Sequence, residues 1–291
     1  MASVVNEASS ADLGGVRIGT RWPVRVMAAI NVSPESFYKG SVIEDPGRLR
    51  EAAARMGVAG ADLIDIGAMS TAPYLETHID AAEEARRIER AIRAVTAAVA
   101  VPISVDTKRA SVARVALDCG ARIINDVSGL CADPDMAPLA AERAAGVVLM
   151  ADETAPGAED PVATVRTTLA DRLQRAVAAG IAPERIVLDP GIGFFRRAAW
   201  PWHAWDCRVL AHLSALHALG RPLVAAVSRK SFIGQILERP DPADRLAGSL
   251  AAVAIAVYNG AALVRTHDVA EARDAIRVAE ALRRHRPEGD G

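Results

Sequence analysis

Asp106, Asn125, Asp189 and Lys230 stand at the ends of four different short apolar runs, ISVD, RIIND, IVLD and LVAAVSRK. A buried carboxylate is costly unless it meets a partner, so an Asp that closes an apolar run is placed to hold something polar. Together these donors and acceptors match the edge of a heterocycle such as a 2-amino-4-oxo ring, with Lys230 meeting a ring carbonyl or nitrogen. A single Asp of this kind is equally well explained as a bond that fixes a loop; four such residues on one rim point to a ligand. Asn31, closing VMAAIN, joins Arg265 and His267, which follow AALV, in a second group. A guanidinium fork and an imidazole suit phosphate oxygens, and Asn can ligate Mg²⁺ or bond a phosphate. For His267 alone, a helix-capping or interdomain contact is an equally ordinary role. Phe194, directly after Gly-Ile-Gly, can wall a flat aromatic substrate, while Trp200, Trp202 and Trp205 read as amphipathic cover.

Residues from so many chain positions converge only if the runs that carry them share one end. Eight apolar runs read as strands, at 24–31, 62–67, 102–106, 122–126, 147–151, 186–190, 223–228 and 262–266. Rich in Val, Ile, Leu and Ala with little polar alternation, they suit parallel strands buried on both faces. Helix-forming stretches lie at 77–99, 109–119, 161–179, 203–219, 242–258 and 269–284, the first with Thr77 as its cap. Gly60, Gly120, Gly146, Gly180, Gly220 and Gly260 mark the turns back to a strand, where a left-handed residue ends a helix. This alternation predicts a single α/β domain, a (β/α)8 TIM barrel over 23–291, whose strand ends form one rim. A doubly wound open sheet is the second reading, because local pattern does not show closure. Residues 1–22 read as a flexible N-terminal segment, a frayed tail or a short hairpin across the barrel bottom.

With 291 residues, 51% hydrophobic and 24% charged, the chain has material for a large core and is not disordered in bulk. A formal net charge of −2 argues against nucleic-acid binding, which needs a basic excess. Cys119, Cys131 and Cys207 match neither a disulfide framework nor a zinc site and are expected as buried thiols. The N-terminus lacks the basic start and apolar core of a secretory signal, and no apolar stretch is long enough for a bilayer. A cytoplasmic protein with no membrane contact is expected.

Read in their local motifs, the same residues resemble the dihydropteroate synthase family. The matching segments are INVSPESF, GADLIDIGAMSTAP, ISVDTKRASVARVAL, GARIINDVSGL, IVLDPGIGF, VSRKSFIG and RLAGSLAAVAIAVYNGAALVRTHDV, in the family's order and covering nearly the whole chain from residue 24. The resemblance implies a (β/α)8 barrel and a transferase that forms a C–N bond. It would join 6-hydroxymethyl-7,8-dihydropterin pyrophosphate to 4-aminobenzoate, releasing pyrophosphate with Mg²⁺. It implies that Asp106, Asn125, Asp189 and Lys230 hold the pterin, with Asp106, Asp189 and Lys230 taking the catalytic roles. Asn31 would take the metal, and Thr71, Arg265 and His267 the pyrophosphate. Ser231 and Phe194, with Lys230, would border the amine. It also implies a homodimer, for which the Ala-rich 242–258 helix is a candidate face.

Departures from the family's pattern fall in the loops. An acidic residue is replaced by Lys39, a phosphate-binding Arg by Ala72, Met-His by Met150-Ala151, and GFGK by GFFRR, which adds Arg196 and Arg197. The SPESFYKGS loop resembles the branch that serves tetrahydromethanopterin synthesis, where the amine is a ribosylated aminobenzene phosphate. Lys39, Arg196 or Arg197 could then pair with the extra phosphate. Two further readings stay open: a silent paralogue that only binds pterin, and a pterin-dependent methyltransferase, which would not need the SRKS and RTHD elements.

Overall fold

The computed structural model describes residues 9–33, 42–70, 77, 79–143, 145–153, 160–197 and 199–285. A hairpin comes first, β1 (Ser10–Leu13) and β2 (Val16–Gly19), paired antiparallel. Of the two readings of 1–22, the short hairpin holds from Ser10 onward, and the flexible segment does not extend over these residues. Next come β3 (Arg25–Asn31), β4 (Leu63–Gly67), β5 (Ile103–Asp106), β6 (Ile123–Asp126), β7 (Gly146–Met150), β8 (Ile186–Asp189), β9 (Val224–Ala225) and β10 (Leu263–Thr266). These eight are parallel, in the order β8-β7-β6-β5-β4-β3-β10-β9. A parallel bridge between Leu188 and Leu223 joins the two edges, so the sheet curls into a barrel. The open-sheet alternative falls away.

The outer ring is α1 (Pro46–Val58), α2 (Ala81–Thr96), α3 (Ala110–Asp118), α4 (Met136–Glu142), α5 (Pro161–Ala178), α6 (Trp202–Ala211), α7 (Ser231–Leu237), α8 (Leu246–Tyr258) and α9 (Val269–Arg284). Three of these, α1, α4 and α7, have no counterpart among the helical stretches read from sequence. The start of α1 is set by Asp45, whose carboxylate accepts from the Arg48 N–H at 2.8 Å, with Pro46 following. Thr77 is not the cap of α2. Its hydroxyl donates to the Ser70 carbonyl, and Asp80 caps the helix through the Glu83 N–H at 2.7 Å. The expected helix 203–219 breaks after α6 into a 3-10 segment, Leu213–Leu219, and 242–258 opens as a 3-10 turn, Pro242–Arg245.

Gly60, Gly120, Gly180, Gly220 and Gly260 have positive φ, as a left-handed stop requires. Gly146 does not; it is the first residue of β7. A Cβ there would lie 2.9 Å from Leu13 Cδ2, so its role is to admit the hairpin. The three cysteines are free, but none is fully buried and Cys131 is exposed, contrary to the expected buried thiols. Among the described residues, no helix is long and apolar enough to cross a membrane.

Strand register sorts the side chains. Leu63, Ile123, Val187 and Leu263 share a small core cluster with Met27, Val148, Val224, Leu13 and Ile18, which plugs the lower barrel interior. The intervening Ile64, Ile124, Leu188 and Val264 pack instead with the helices. Successive strand residues alternate faces, so the residues two steps beyond the plug point inward again, one layer higher. Those residues are Asp65, Asn125, Asp189 and Arg265. Burial of Leu13 and Ile18, each worth about 1.5–3 kcal/mol, closes the barrel beneath them.

Candidate active site

Asp65, fully buried, organises the polar layer. Its Oδ2 accepts from Arg265 Nε at 2.6 Å and from Asn125 Nδ2 at 3.0 Å. Arg265 Nη2 reaches on to Asp106 Oδ2 at 3.1 Å. The other carboxylate oxygens, Oδ1 of Asp65 and of Asp106, are buried and have no hydrogen-bond partner among the described residues. Unpaired buried acceptors are costly, and an amino-substituted heterocycle supplies the donors they lack. Burial pushes the Asp106 carboxyl up to about 7, with Arg265 opposing the rise and Asp65 adding to it. Burial works against the Arg265 charge, but Asp65 and Asp106 outweigh it and hold the guanidinium protonated.

The sequence grouped Arg265 with Asn31 and His267; the guanidinium instead binds Asp106 of the first group and Asp65. His267 sits between Asn31, 3.4 Å from Nε2, and Ser228 Oγ, 3.1 Å from Nδ1. Its backbone N–H also donates to Ser228 Oγ. Burial drives the imidazole down to about 3, helped by the Arg265 and Arg229 charges, so it is neutral at ordinary pH. The two groups face one another across Gly67. A Cβ there would lie 3.5 Å from Asp106 Cβ and 3.8 Å from Asn31 Oδ1. Arg229, although it follows a strand end, is occupied structurally by Asp268 and by the Pro242 and Ala243 carbonyls.

The third part is the turn after β8. Asp189 Oδ1 accepts from the Gly191 N–H at 2.8 Å, and burial raises its carboxyl against the pull of the Lys230 charge. Lys230 donates to the Ile192 carbonyl and lies 4.9 Å above the Phe194 ring. Burial lowers its ammonium to about 8, with Asp189 and Asp206 holding it up. Ser231 Oγ accepts from Arg196 Nη2 at 2.5 Å, and the Arg196 guanidinium stacks 4.1 Å over Trp202. The side chain of Glu153 fixes this corner, accepting from the backbone N–H groups of Arg196 and Arg197. Trp205 lies deeper, stacked on Phe195 at 4.7 Å.

Asp106, Asn125, Asp189, Lys230, Arg265, His267, Asn31, Phe194 and Ser231 thus all stand on or beside the upper barrel layer. Lys39 and Thr71, with Ala72, lie outside the described residues. In the sequence Asp65 is one of the polar residues that could do chemistry, inside LIDIG, but it joins neither candidate group. The signal for its site role is its two-residue offset from Leu63, readable once the inner face is known. No group of three or more His, Cys, Asp or Glu side chains among the described residues could hold a metal ion. Asn31 is left as a single amide donor, which suits Mg²⁺, an ion that keeps several waters and takes oxygens from a bound phosphate.

The chain matches the model of the family described as pterin binding enzyme over residues 27–267. It is 38% identical over 264 residues to the dihydropteroate synthase of Synechocystis, covering 88% of this chain and 89% of that one. With the Escherichia coli dihydropteroate synthase the identity is 37% over 263 residues, 88% and 90% of the two chains. Among solved structures, Xanthomonas albilineans dihydropteroate synthase with 4-aminobenzoic acid has a TM-score of 0.84 at 38% identity, covering 96% of this chain and 100% of that one. Coxiella burnetii dihydropteroate synthase in complex with pteroic acid has a TM-score of 0.85 at 33% identity, with coverage of 96% and 100%.

Proposed function

The chain belongs to the dihydropteroate synthase family of pterin-binding enzymes, and we propose that it joins 6-hydroxymethyl-7,8-dihydropterin pyrophosphate to 4-aminobenzoate, releasing pyrophosphate. The observation that carries this reading is the buried layer of Asp65, Asn125, Arg265 and Asp106, with two carboxylate oxygens awaiting donors. The pterin's amino group and ring N–H supply such donors, and Asn125, Asp189 and Lys230 complete the edge. The ring would lie between the polar layer and the mouth, with its exocyclic carbon toward Asn31 and His267.

The C–O bond to pyrophosphate breaks, leaving positive charge on the exocyclic carbon and, through conjugation, on the ring. Asp106 and Asp189 are placed to stabilise that cation electrostatically in a water-poor layer. Neutral His267, held between Asn31 and Ser228, is placed to orient the Asn31 amide toward the departing oxygens. The amine lone pair then forms the C–N bond, and the proton it sheds is acidic once that bond exists, so no strong general base is needed. Mg²⁺ held at Asn31 would neutralise charge on the phosphates. Ser231, Phe194 and Lys230 border the amine.

One observation favours a second amine, the ribosylated aminobenzene phosphate. Arg196 brings an extra cation to Ser231. Pyrophosphate release measured with each amine in parallel separates the two: 4-aminobenzoate is the expected substrate, and preference for the phosphorylated amine would assign the other branch. Silence with both, alongside tight pterin binding, would mark a silent paralogue. We also propose a homodimer, supported by exposed Ile236 and Leu237 on α7 and Ile255 on α8, to be read by sedimentation.

A further inference from the structure

Asp206, on α6, is completely buried and has entered so far only as a charge near Lys230. Its Oδ1 accepts from the Gly193 N–H at 2.8 Å. Its Oδ2 is buried with no hydrogen-bond partner among the described residues. Capping one N–H needs only a neutral amide oxygen. A carboxylate adds the desolvation of a second oxygen and of a charge, so a purely structural role leaves the choice of Asp unexplained.

The other side of the same peptide supplies the explanation. The N–H of Gly193 and the carbonyl of Ile192 belong to one planar peptide unit. That carbonyl accepts from Lys230 Nζ. The lysine stem lies along the turn, and a Cβ on Gly193 would meet Lys230 Cδ at 3.1 Å. Gly193 itself has a φ of +86°, which favours glycine at this position. One peptide unit is therefore gripped from both ends, by an anion at its N–H and a cation at its C=O. Hydrogen bonds in such a chain polarise one another, so an anion on the N–H strengthens the carbonyl as an acceptor.

We propose that Asp206 is a positioning residue for Lys230, acting through the peptide unit between Ile192 and Gly193. This rests on the reading that Lys230 contacts the pterin. The electrostatics agree with it: burial lifts the Asp206 carboxyl to about 6, while the Gly193 bond and the Lys230 and Arg196 charges limit the rise. Lys230 faces Asp189, Asp206, Arg265 and Arg196, and the two carboxylates sustain its charge against burial.

The test is a double-mutant cycle of Asp206→Asn and Lys230→Met, read as the Kd for 6-hydroxymethylpterin in a fluorescence titration at about pH 8, alongside thermal melts. Asp206→Asn keeps the amide oxygen for Gly193, so its melting temperature should equal or exceed that of the parent. Its pterin affinity should fall roughly five- to tenfold, the scale of one charge-assisted bond. In the Lys230→Met background the same substitution should change Kd by less than about twofold. Unaltered affinity in Asp206→Asn, or an equal loss in both backgrounds, overturns the proposal and leaves Asp206 a structural cap. If Lys230→Met alone binds pterin as the parent does, the pterin role of Lys230 fails first, and the proposal fails with it.

Discussion

Replacing Arg265 with Gln removes a cation that bridges two buried carboxylates. The guanidinium lies 2.6 Å from Asp65 and 3.1 Å from Asp106, and its side chain is 19% exposed. Deleting one partner of a buried pair costs about 3–5 kcal/mol, because the remaining charge is left uncompensated. At a urea slope of about 3 kcal/mol per M, the unfolding midpoint should drop by roughly 1–1.7 M. The loss must also depend on pH. Burial raises the Asp106 carboxyl to about 7. The raised value means that protonated Asp106 favours the fold, a contribution complete below the ordinary carboxylate range and lost as pH climbs through about 7. At about pH 5.5 Asp106 holds its proton with or without Arg265, so the variant loses mainly the Asp65 bond. At about pH 8.5 both bonds matter, and the deficit should be larger by about 1–3 kcal/mol. Urea unfolding followed by circular dichroism at the two pH values reads this directly. A deficit below about 1 kcal/mol, or one of equal size at both pH values, would refute the electrostatic account of the layer.

Leu13→Ala should cost about 2–5 kcal/mol in thermal or urea unfolding while leaving KM for both substrates unchanged, because the plug lies below the site. Gly191→Ala should abolish pterin binding in a fluorescence titration, since its Cβ would stand 1.9 Å from the Ala151 carbonyl oxygen at a φ of +72°. His267, pushed down to about 3 mainly by burial, is neutral across the working range. Its replacement by Asn should lower kcat/KM by a similar factor at every pH from about 6 to 9, and a shifted inflection in the profile would contradict that.

The barrel was legible in the sequence because its parallel strands are continuous apolar runs closed by polar residues. Each run lies within a few residues of its strand, although LVAAV contributes only Val224 and Ala225 to β9. The missed helices were of two kinds. Both α4 and α7 span seven residues, too few to display a 3.6 period. For α1 the available signal was Asp45-Pro46, a cap rather than a stripe. Most of the candidate site was visible because strand ends share one rim. Asp65 was not assigned a ligand role because one polar residue inside LIDIG does not say which face is inside; that follows from the register set by Leu63. Asp206 and Arg196 lie off the strands altogether, and their partners, Gly193 and Ser231, are tertiary neighbours that no local spacing predicts.

The most direct measurement of the central claim follows 7,8-dihydropteroate by mass spectrometry, with pyrophosphate release, from the pterin pyrophosphate and 4-aminobenzoate in Mg²⁺. The account predicts equal amounts of the two products from the parent, and a rate at least about a hundredfold lower in folded Asp189→Asn. No dihydropteroate from the parent, or undiminished turnover in the variant, would contradict it.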